Sequence, residues 1–397
     1  MRVANATIRA VNALTARWAG AAEDNTVFSA AGVWPLLAFL ADGAAGRARA
    51  ELAEAVGLPA DRTAGAAREL LAGLGSTRGL DAALGMWTSR ALELSERWEA
   101  GLPADARGVL TGDGAADRKA LDAWAAKRTG GLIERMPVEV SESTVMVLAS
   151  ALAMRTRWLR PFRENPWQPE GGPWGERVVL GLERRSELLD RVGVADTSAG
   201  HVTELKVLGN NALDVHLLLG EEGMTPGQVL GAGVDLLAGR HRVVPGSQLP
   251  HGDVGPGLRV VRERSVRPAP PTLQVRTVAY EVRANHDLLE QHGLFGLTTA
   301  STRVPGHFPG VSAFPLCVEA ARQSAMARFG ARGFEAAAVT AMPMAASGVP
   351  QLRWLITKVE ACFDRPFGFL ALHRHSRLVL AAGWVTDPRP YGEDEYD

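Results

Sequence analysis

Residues Gly330-Ala-Arg-Gly-Phe-Glu-Ala-Ala-Ala-Val-Thr-Ala-Met-Pro-Met-Ala-Ala-Ser-Gly-Val-Pro350 decide how this chain is read. They follow an extended run from Leu316 to Phe329 and contain almost nothing that would anchor a core. A segment this long without structure of its own, inside a compact domain, is usually functional or disordered. Its composition is peculiar for a linker, because Ala336, Ala337, Ala338, Val339, Thr340 and Ala341 are small and uncharged. Such side chains would fit between two existing strands without a clash. A plain flexible loop is the alternative that composition leaves open.

Working outward, the first third of the chain is helix-rich. Met1 to Trp18 reads as an amphipathic first helix. Trp34 to Leu40 is a second, stopped by Gly43 and Gly46, and Ala50 to Val56 a third, ending at Gly57. Lys119 to Met136 repeats the helical spacing up to Pro137, and Thr144 to Met154 suits a strand buried on both faces. Val202 to Val207 and Ala212 to Leu219 flank the turn signal Gly209-Asn210-Asn211 as a hairpin would. Pro226 to Pro271 is dense in glycine and proline and reads as loops. Leu273 to Tyr280 is a strand, Asp287 to His292 a helix, and Phe367 to Leu372 with Arg377 to Val385 a closing hairpin turned at His373-Arg374-His375-Ser376. Segregated helices and strands give an α+β fold. The domain is expected to span residues 1–390, with an acidic, disordered tail over 391–397.

Composition excludes several functions. The 397 residues carry 43 Lys+Arg against 44 Asp+Glu, with 46% hydrophobic, which describes a globular protein without the basic excess of a nucleic-acid binder. No run of about 18 apolar residues predicts a membrane span, and no unbroken apolar stretch near Met1 predicts a signal peptide, so the expected compartment is the cytoplasm. Cys317 and Cys362 do not make a disulfide framework. No Gly-x-Ser-x-Gly elbow, phosphate loop or His-Glu-x-x-His helix occurs, so no catalytic residue, metal or cofactor is expected, and no enzyme. Gly231-Ala-Gly233 lacks the third glycine of a dinucleotide fingerprint, and His373 with His375 reads as a solvated turn rather than a metal pair. Arg184, Arg185 and Arg191, or Arg240 and Arg242, form a basic patch only if the fold gathers them.

Six ordered segments carry a resemblance. Gly333-Phe-Glu-Ala-Ala-Ala-Val-Thr-Ala341 resembles the hinge of the reactive-centre loop of serpins, a family of serine protease inhibitors; this chain is read as a bacterial member. Asn25-Thr-Val-Phe-Ser29, Leu121-Asp-Ala-Trp124 through Thr129-Gly-Gly-Leu-Ile133, and Leu148 to Trp158 with Pro161-Phe162 are similar to serpin segments. So are Phe363-Asp-Arg-Pro-Phe367 and Gly383-Trp-Val385 with Pro388. The resemblance spans about residues 25 to 388.

It implies a single domain of three β-sheets and eight to nine helices, monomeric, with an exposed loop over about 331–353 acting as bait for a serine or cysteine protease. The hinge would be Gly333, Phe334, Glu335, Ala336, Ala337, Ala338, Val339 and Thr340. Counting from the hinge puts the bait bond at Ser347-Gly348, suiting an elastase- or subtilisin-like enzyme. Counting back from Phe367 puts it near Leu352 or Arg353, suiting a chymotrypsin- or trypsin-like one. Ser29, Gly32, Ser150, Trp158 and Gln323 would form the sheet-opening region. Phe334 stands where the family usually has Thr or Ser, Gly32 and Trp34 where it has Ser, Ser150 where it has Asn, Gln323 where it has His, and Ala331 where it has Glu. An aromatic at the first inserting position is expected to obstruct insertion. The alternative is a non-inhibitory relative with a binding or chaperone role. An extracellular location would also agree with the resemblance.

Overall fold

The computed structural model describes residues 1–103, 106–136, 138, 140–141, 144–334 and 354–392. Its first helix, α1 (Asn5–Ala19), buries Ile8, Val11, Leu14 and Trp18, the three- and four-residue spacing of one helix face. β1 (Thr26–Phe28) follows, then α2 (Ala30–Gly43), α3 (Gly46–Val56) and α4 (Ala60–Gly75). Next come β2 (Leu80–Ser89), α5 (Glu96–Ala100), β3 (Arg107–Leu110), α6 (Gly114–Thr129), β4 (Met146–Met154) and β5 (Thr156–Arg157). The middle of the chain supplies β6 (Arg163–Trp167), β7 (Val179–Ser186), β8 (Val192–Thr197), β9 (Gly200–Val207), β10 (Leu213–Gly220), α7 (Pro226–Leu237) and β11 (Val243–Pro245). β12 (Gly252–Gly255), β13 (Leu258–Ser265), β14 (Thr272–Val278) and β15 (Tyr280–Asp287) lead to α8 (His292–Phe295). The last strands are β16 (Arg322–Phe329), β17 (Gly333–Phe334), β18 (Trp354–Cys362), β19 (Phe367–His373) and β20 (Leu378–Val385).

The architecture is α+β. One sheet runs β1-β20-β19-β10-β9-β8-β11, and a second runs β12-β13-β18-β14-β7-β6. The main sheet is divided: β15-β16-β17-β5 and β3-β2-β4 are separate hydrogen-bonded sets among the described residues. With these two halves taken as one sheet, the described strands form the three sheets expected. β4 and β5 are separated by Arg155 alone, so one strand path passes from one half to the other. The main core cluster reaches from Ile8 to Val385, and a smaller one gathers Leu121 and Ala125 of α6 with Val147 and Ala149 of β4. Val147, Ala149 and Ala153 of β4 are buried while Ser150 and Leu152 are half-exposed, so its two faces are not equally covered.

Three expectations need correction. The helix expected to reach Met136 stops at Gly130, whose φ of +59° is the left-handed conformation that closes a helix. Pro226 to Pro271 is not loop: α7 begins there, with a Thr225–Gln228 capping box and Pro226 in its first turn. Its Gly233 marks close packing, since a Cβ there would stand 2.2 Å from Leu218 Cδ1. The same region adds the β12–β13 hairpin. Asp287 ends a strand instead of starting a helix, and its carboxylate accepts the Leu289 N–H at 3.0 Å, so the turn is made by an Asx side chain.

Candidate functional site: the slot in the main sheet

β16 and β4 run in the same direction, because each is antiparallel to the short β17 or leads into a strand that is. Between them there is no ladder among the described residues. At the top of this slot the chain turns at Gly330–Arg332, with Gly330 N–H donating to Gly333 O at 3.0 Å, and enters it. Phe334 then pairs with Phe329 on one side and Thr156 on the other, while Gly333 pairs with Arg157. The first two hinge residues thus already sit as a strand between β16 and β5. Gly333 is required there, since a Cβ would lie 2.3 Å from Thr156 O. Phe334 does not stand outside as an obstruction to entry. It is 4% exposed, with its ring 6.4 Å from that of Phe369.

Below Phe334 the space is open. A cavity of about 20 Å³ lies between Leu152, Ala153 and Met154 on one side and Met326 and Arg328 on the other, with Phe334 as its upper wall. A larger one of about 440 Å³ separates residues 132–136, after α6, from the edges of β15 and β16. The smaller has room for about one water, whereas the larger has room for side chains.

The hinge turn is latched to the segment after β5. Trp158 N–H donates to Arg332 O at 2.9 Å, Trp158 Nε1 donates to Gly330 O at 2.8 Å, and Phe162 N–H donates to Ala331 O at 2.8 Å. Rings reinforce it: Trp158 lies 4.9 Å and Phe162 5.8 Å from Phe329, which stacks on Tyr280 at 5.2 Å and 12°. Tyr280 Oη is buried with no hydrogen-bond partner, and burial pushes its pKa well above the usual phenol range. Phe329 and Tyr280 belong to this site although nothing in the sequence singled them out.

Lower down, a second network fixes β16. Gln323, 5% exposed, accepts the Ser29 N–H at 2.8 Å and donates to Ser29 O at 2.9 Å. Ser29 Oγ donates to Leu380 O at 2.6 Å, accepts the Gly32 N–H at 3.1 Å, and so caps α2. A Cβ built on Gly32 would stand 3.4 Å from Gln323 Nε2 and 3.6 Å from Ser150 Oγ, which places all four residues together. The carboxamide thus ties β16 to α2 and to β20. His286 on β15 does likewise through Nε2 to Val27 O at 2.8 Å, and burial lowers its pKa.

Glu335, Ala336 to Ala338, Val339, Thr340, Ser347, Gly348, Leu352 and Arg353 lie outside the described residues. The chain resumes at β18, paired with β13 from Leu258↔Ala361 to Ser265↔Trp354 and with β14 from Thr272↔Lys358 to Arg276↔Cys362. The strand after the loop is therefore held on both edges. Elsewhere, Gly231 and Gly233 lie inside α7, and His373 is buried with Nδ1 2.9 Å from Ser376 Oγ. Cys317 and Cys362 are free thiols. No group of three metal-binding side chains occurs among the described residues, and no described helix is long and apolar enough to cross a membrane. Residues 393–397 of the expected tail are also outside the described residues, whereas Tyr391 N–H still donates to Val178 O at 3.1 Å.

Comparisons with known proteins agree with this geometry. The family model described as "Serpin (serine protease inhibitor)" matches residues 3–171. Two rice (Oryza sativa subsp. japonica) proteins are similar in sequence. "Putative serpin-Z8" is 28% identical over 68% of this chain and 65% of its own length, just under two thirds, and "Putative serpin-Z6C" is 27% identical over 95% and 94%. Both are plant proteins and lend no support to a bacterial origin. Among solved structures, "Cleaved Serpin 42Da" superimposes with a TM-score of 0.73 at 16% identity, covering 96% of this chain and 99% of that one. "Thyroxine-binding globulin complex with thyroxine" gives 0.71 at 17% identity, covering 97% and 98%. The chain has the serpin fold, and the family model that matches residues 3–171 agrees with it.

Proposed function

We propose that the chain is a monomeric serpin that inhibits a serine or cysteine protease as a suicide substrate. The observation that carries this reading is Gly333–Phe334 held as the start of a strand at the head of an open slot. Continuing that register past Phe334, a cut arm would lay Glu335 between Arg328 and Arg155, Ala336 to Ala338 between Ala327 to Ala325 and Met154 to Leu152, and Thr340 between Gln323 and Ser150. The one charge of the hinge would meet two cations, its three alanines the narrow part of the slot, and its hydroxyl the polar network.

The chemistry belongs to the protease. Its nucleophile attacks the bait carbonyl, the amine of the next residue leaves, and the acyl-enzyme holds the protease on the new C-terminus of the hinge arm. Strand addition then competes with hydrolysis. From Ala331 to Ser347 the arm would span roughly 50 Å at about 3.3 Å per residue, enough to carry the protease away from the latch before water reaches the ester. Small side chains matter because overpacking a sheet interior costs about 1–3 kcal/mol. Ser347-Gly348 and the region of Leu352 and Arg353 remain the candidate bonds.

A second reading, a binding protein whose loop is cut without insertion, is favoured by the buried Phe334 ring and the three-bond latch, which already fill the head of the slot. Mixing the protein with subtilisin, elastase, chymotrypsin and trypsin separately discriminates the two on a denaturing gel. Inhibition gives a denaturant-resistant band at the summed mass, and the released fragment locates the bond. Ala338→Arg, at a position that alternation puts on the buried face shared with Phe334, should abolish that band while leaving the loop cleavable. Cleavage without any such band by all four enzymes supports the binding protein.

A further inference from the structure

Beside the latch, four cations surround an apolar recess. Its walls are Leu159, Leu188, Leu208 and Leu273; Arg160, Arg184, Arg191 and Lys206 stand around it, enclosing about 80 Å³. Leu159 and Leu188 are large apolar side chains left 56% and 43% exposed. Arg184 Nη1 donates to Arg160 O at 2.9 Å, Arg160 Nη1 donates to Ser186 Oγ at 3.1 Å, and the Arg184 guanidinium lies 4.3 Å over the Phe162 ring. Three arginines converge here, yet Arg160, Arg184 and Arg191 make no ion pair among the described residues.

The nearby carboxylates are occupied. Glu204 is shared by His216 at 2.7 Å and Lys206 at 3.3 Å, and Asp190 accepts the Ser247 N–H at 3.0 Å. Lys206 is thus engaged by Glu204, while Arg160, Arg184 and Arg191 hold no carboxylate within ion-pair distance among the described residues. Burial, aided by the Arg160 and Arg191 charges, pulls the Arg184 pKa down to about 10, as expected where like charges crowd without a counter-ion. Of the arginines that sequence singled out, Arg184 and Arg191 meet here. Arg185 faces solvent, and Arg240 pairs with Asp235.

We propose that this recess is a binding site for an amphipathic organic anion. Its carboxylate or sulfate head is held by Arg160, Arg184 and Arg191, and its apolar tail covers Leu159 and Leu188. Charge complementarity selects the head and exposed leucines select the tail. Planar guanidinium groups suit bidentate oxyanions. The proposal is independent of protease inhibition, because it needs neither the loop nor the slot.

The test is isothermal titration of the full chain with octanoate and octyl sulfate, with inorganic sulfate and 1-octanol as head-only and tail-only probes. The expected result is saturable one-to-one binding of both amphiphiles, with each partial probe at least about tenfold weaker. Arg191→Gln and Arg160→Gln, at exposed or half-exposed positions, should each weaken octanoate about tenfold, and Leu188→Ser should weaken octanoate more than inorganic sulfate. Circular dichroism confirms that the variants are folded. Three results overturn the proposal: no saturable binding up to about 10 mM, inorganic sulfate binding as tightly as octyl sulfate, or octanoate affinity unchanged in both arginine variants.

Discussion

In the sheet that carries β10 and β19, every residue of those two strands is buried and each is hydrogen-bonded on both edges. In the main sheet, β4 and β16 are just as central, yet they face each other across a slot with no ladder and with Ser150, Leu152, Ser324, Ala325 and Met326 half-exposed. One chain has closed one sheet and left the other a strand short. The difference teaches that the unfinished pairing is local. It begins beneath Phe334, and both strands bounding it are anchored elsewhere, β16 by Gln323 and β4 by its long pairing with β2.

This contrast can be broken from either side. Phe369→Ala, in the closed sheet and against both Tyr280 and Phe334, should cost about 3–5 kcal/mol by chemical denaturation. A loss under about 1 kcal/mol would mean that the closed sheet is less tightly packed than described. Gln323→Ala removes two buried hydrogen bonds that hold one wall of the slot, and should cost about 1–3 kcal/mol. If the anchor governs opening, the variant should also show faster hydrogen exchange in β16, and exchange equal to the parent's would remove Gln323 from that role.

Acid should act on the closed sheet through Glu204. Burial alone would raise its pKa, but His216 and Lys206 hold the carboxyl down at about 2. A carboxylate whose folded pKa lies below its unfolded value stabilises the fold above the unfolded pKa, and that contribution is lost as pH falls through the folded one. Urea midpoints should therefore decline between about pH 4.5 and pH 2, and Glu204→Gln should flatten part of that decline. An identical slope in the variant would contradict the assignment. The smallest effect is expected at Tyr280, whose buried hydroxyl has no partner: Tyr280→Phe should be neutral or stabilising by up to about 1 kcal/mol. Marked destabilisation would mean that the hydroxyl has a partner after all.

How much was legible in sequence differs between the two regions for a physical reason. Gly209-Asn210-Asn211 between two apolar runs is a local signal, so the β9–β10 hairpin could be read from it, as could the closing β19–β20 pair. α1 and α2 announced themselves by periodicity. α7 did not, because the close approach of helix and sheet is bought with Gly233 and its neighbours, and those glycines look like loop. The slot is a statement about pairing between residues about 180 positions apart, Phe334 with Thr156, and no local pattern carries it. Resemblance pointed to Trp158, Ser29, Gly32, Ser150 and Gln323, which the fold does gather along the slot. It also made Phe334 an expected obstruction, and only the three-dimensional arrangement shows that ring already inside.

The most direct test of the central claim, that the slot is built to receive the hinge arm, is the melting temperature of the chain before and after a single cut between Met342 and Arg353, with the cut mapped by sequencing the fragments. The nicked protein is expected to melt well above the intact one, because the arm completes the main sheet as the closed sheet is already complete. A nicked protein that melts at or below the intact temperature would contradict it.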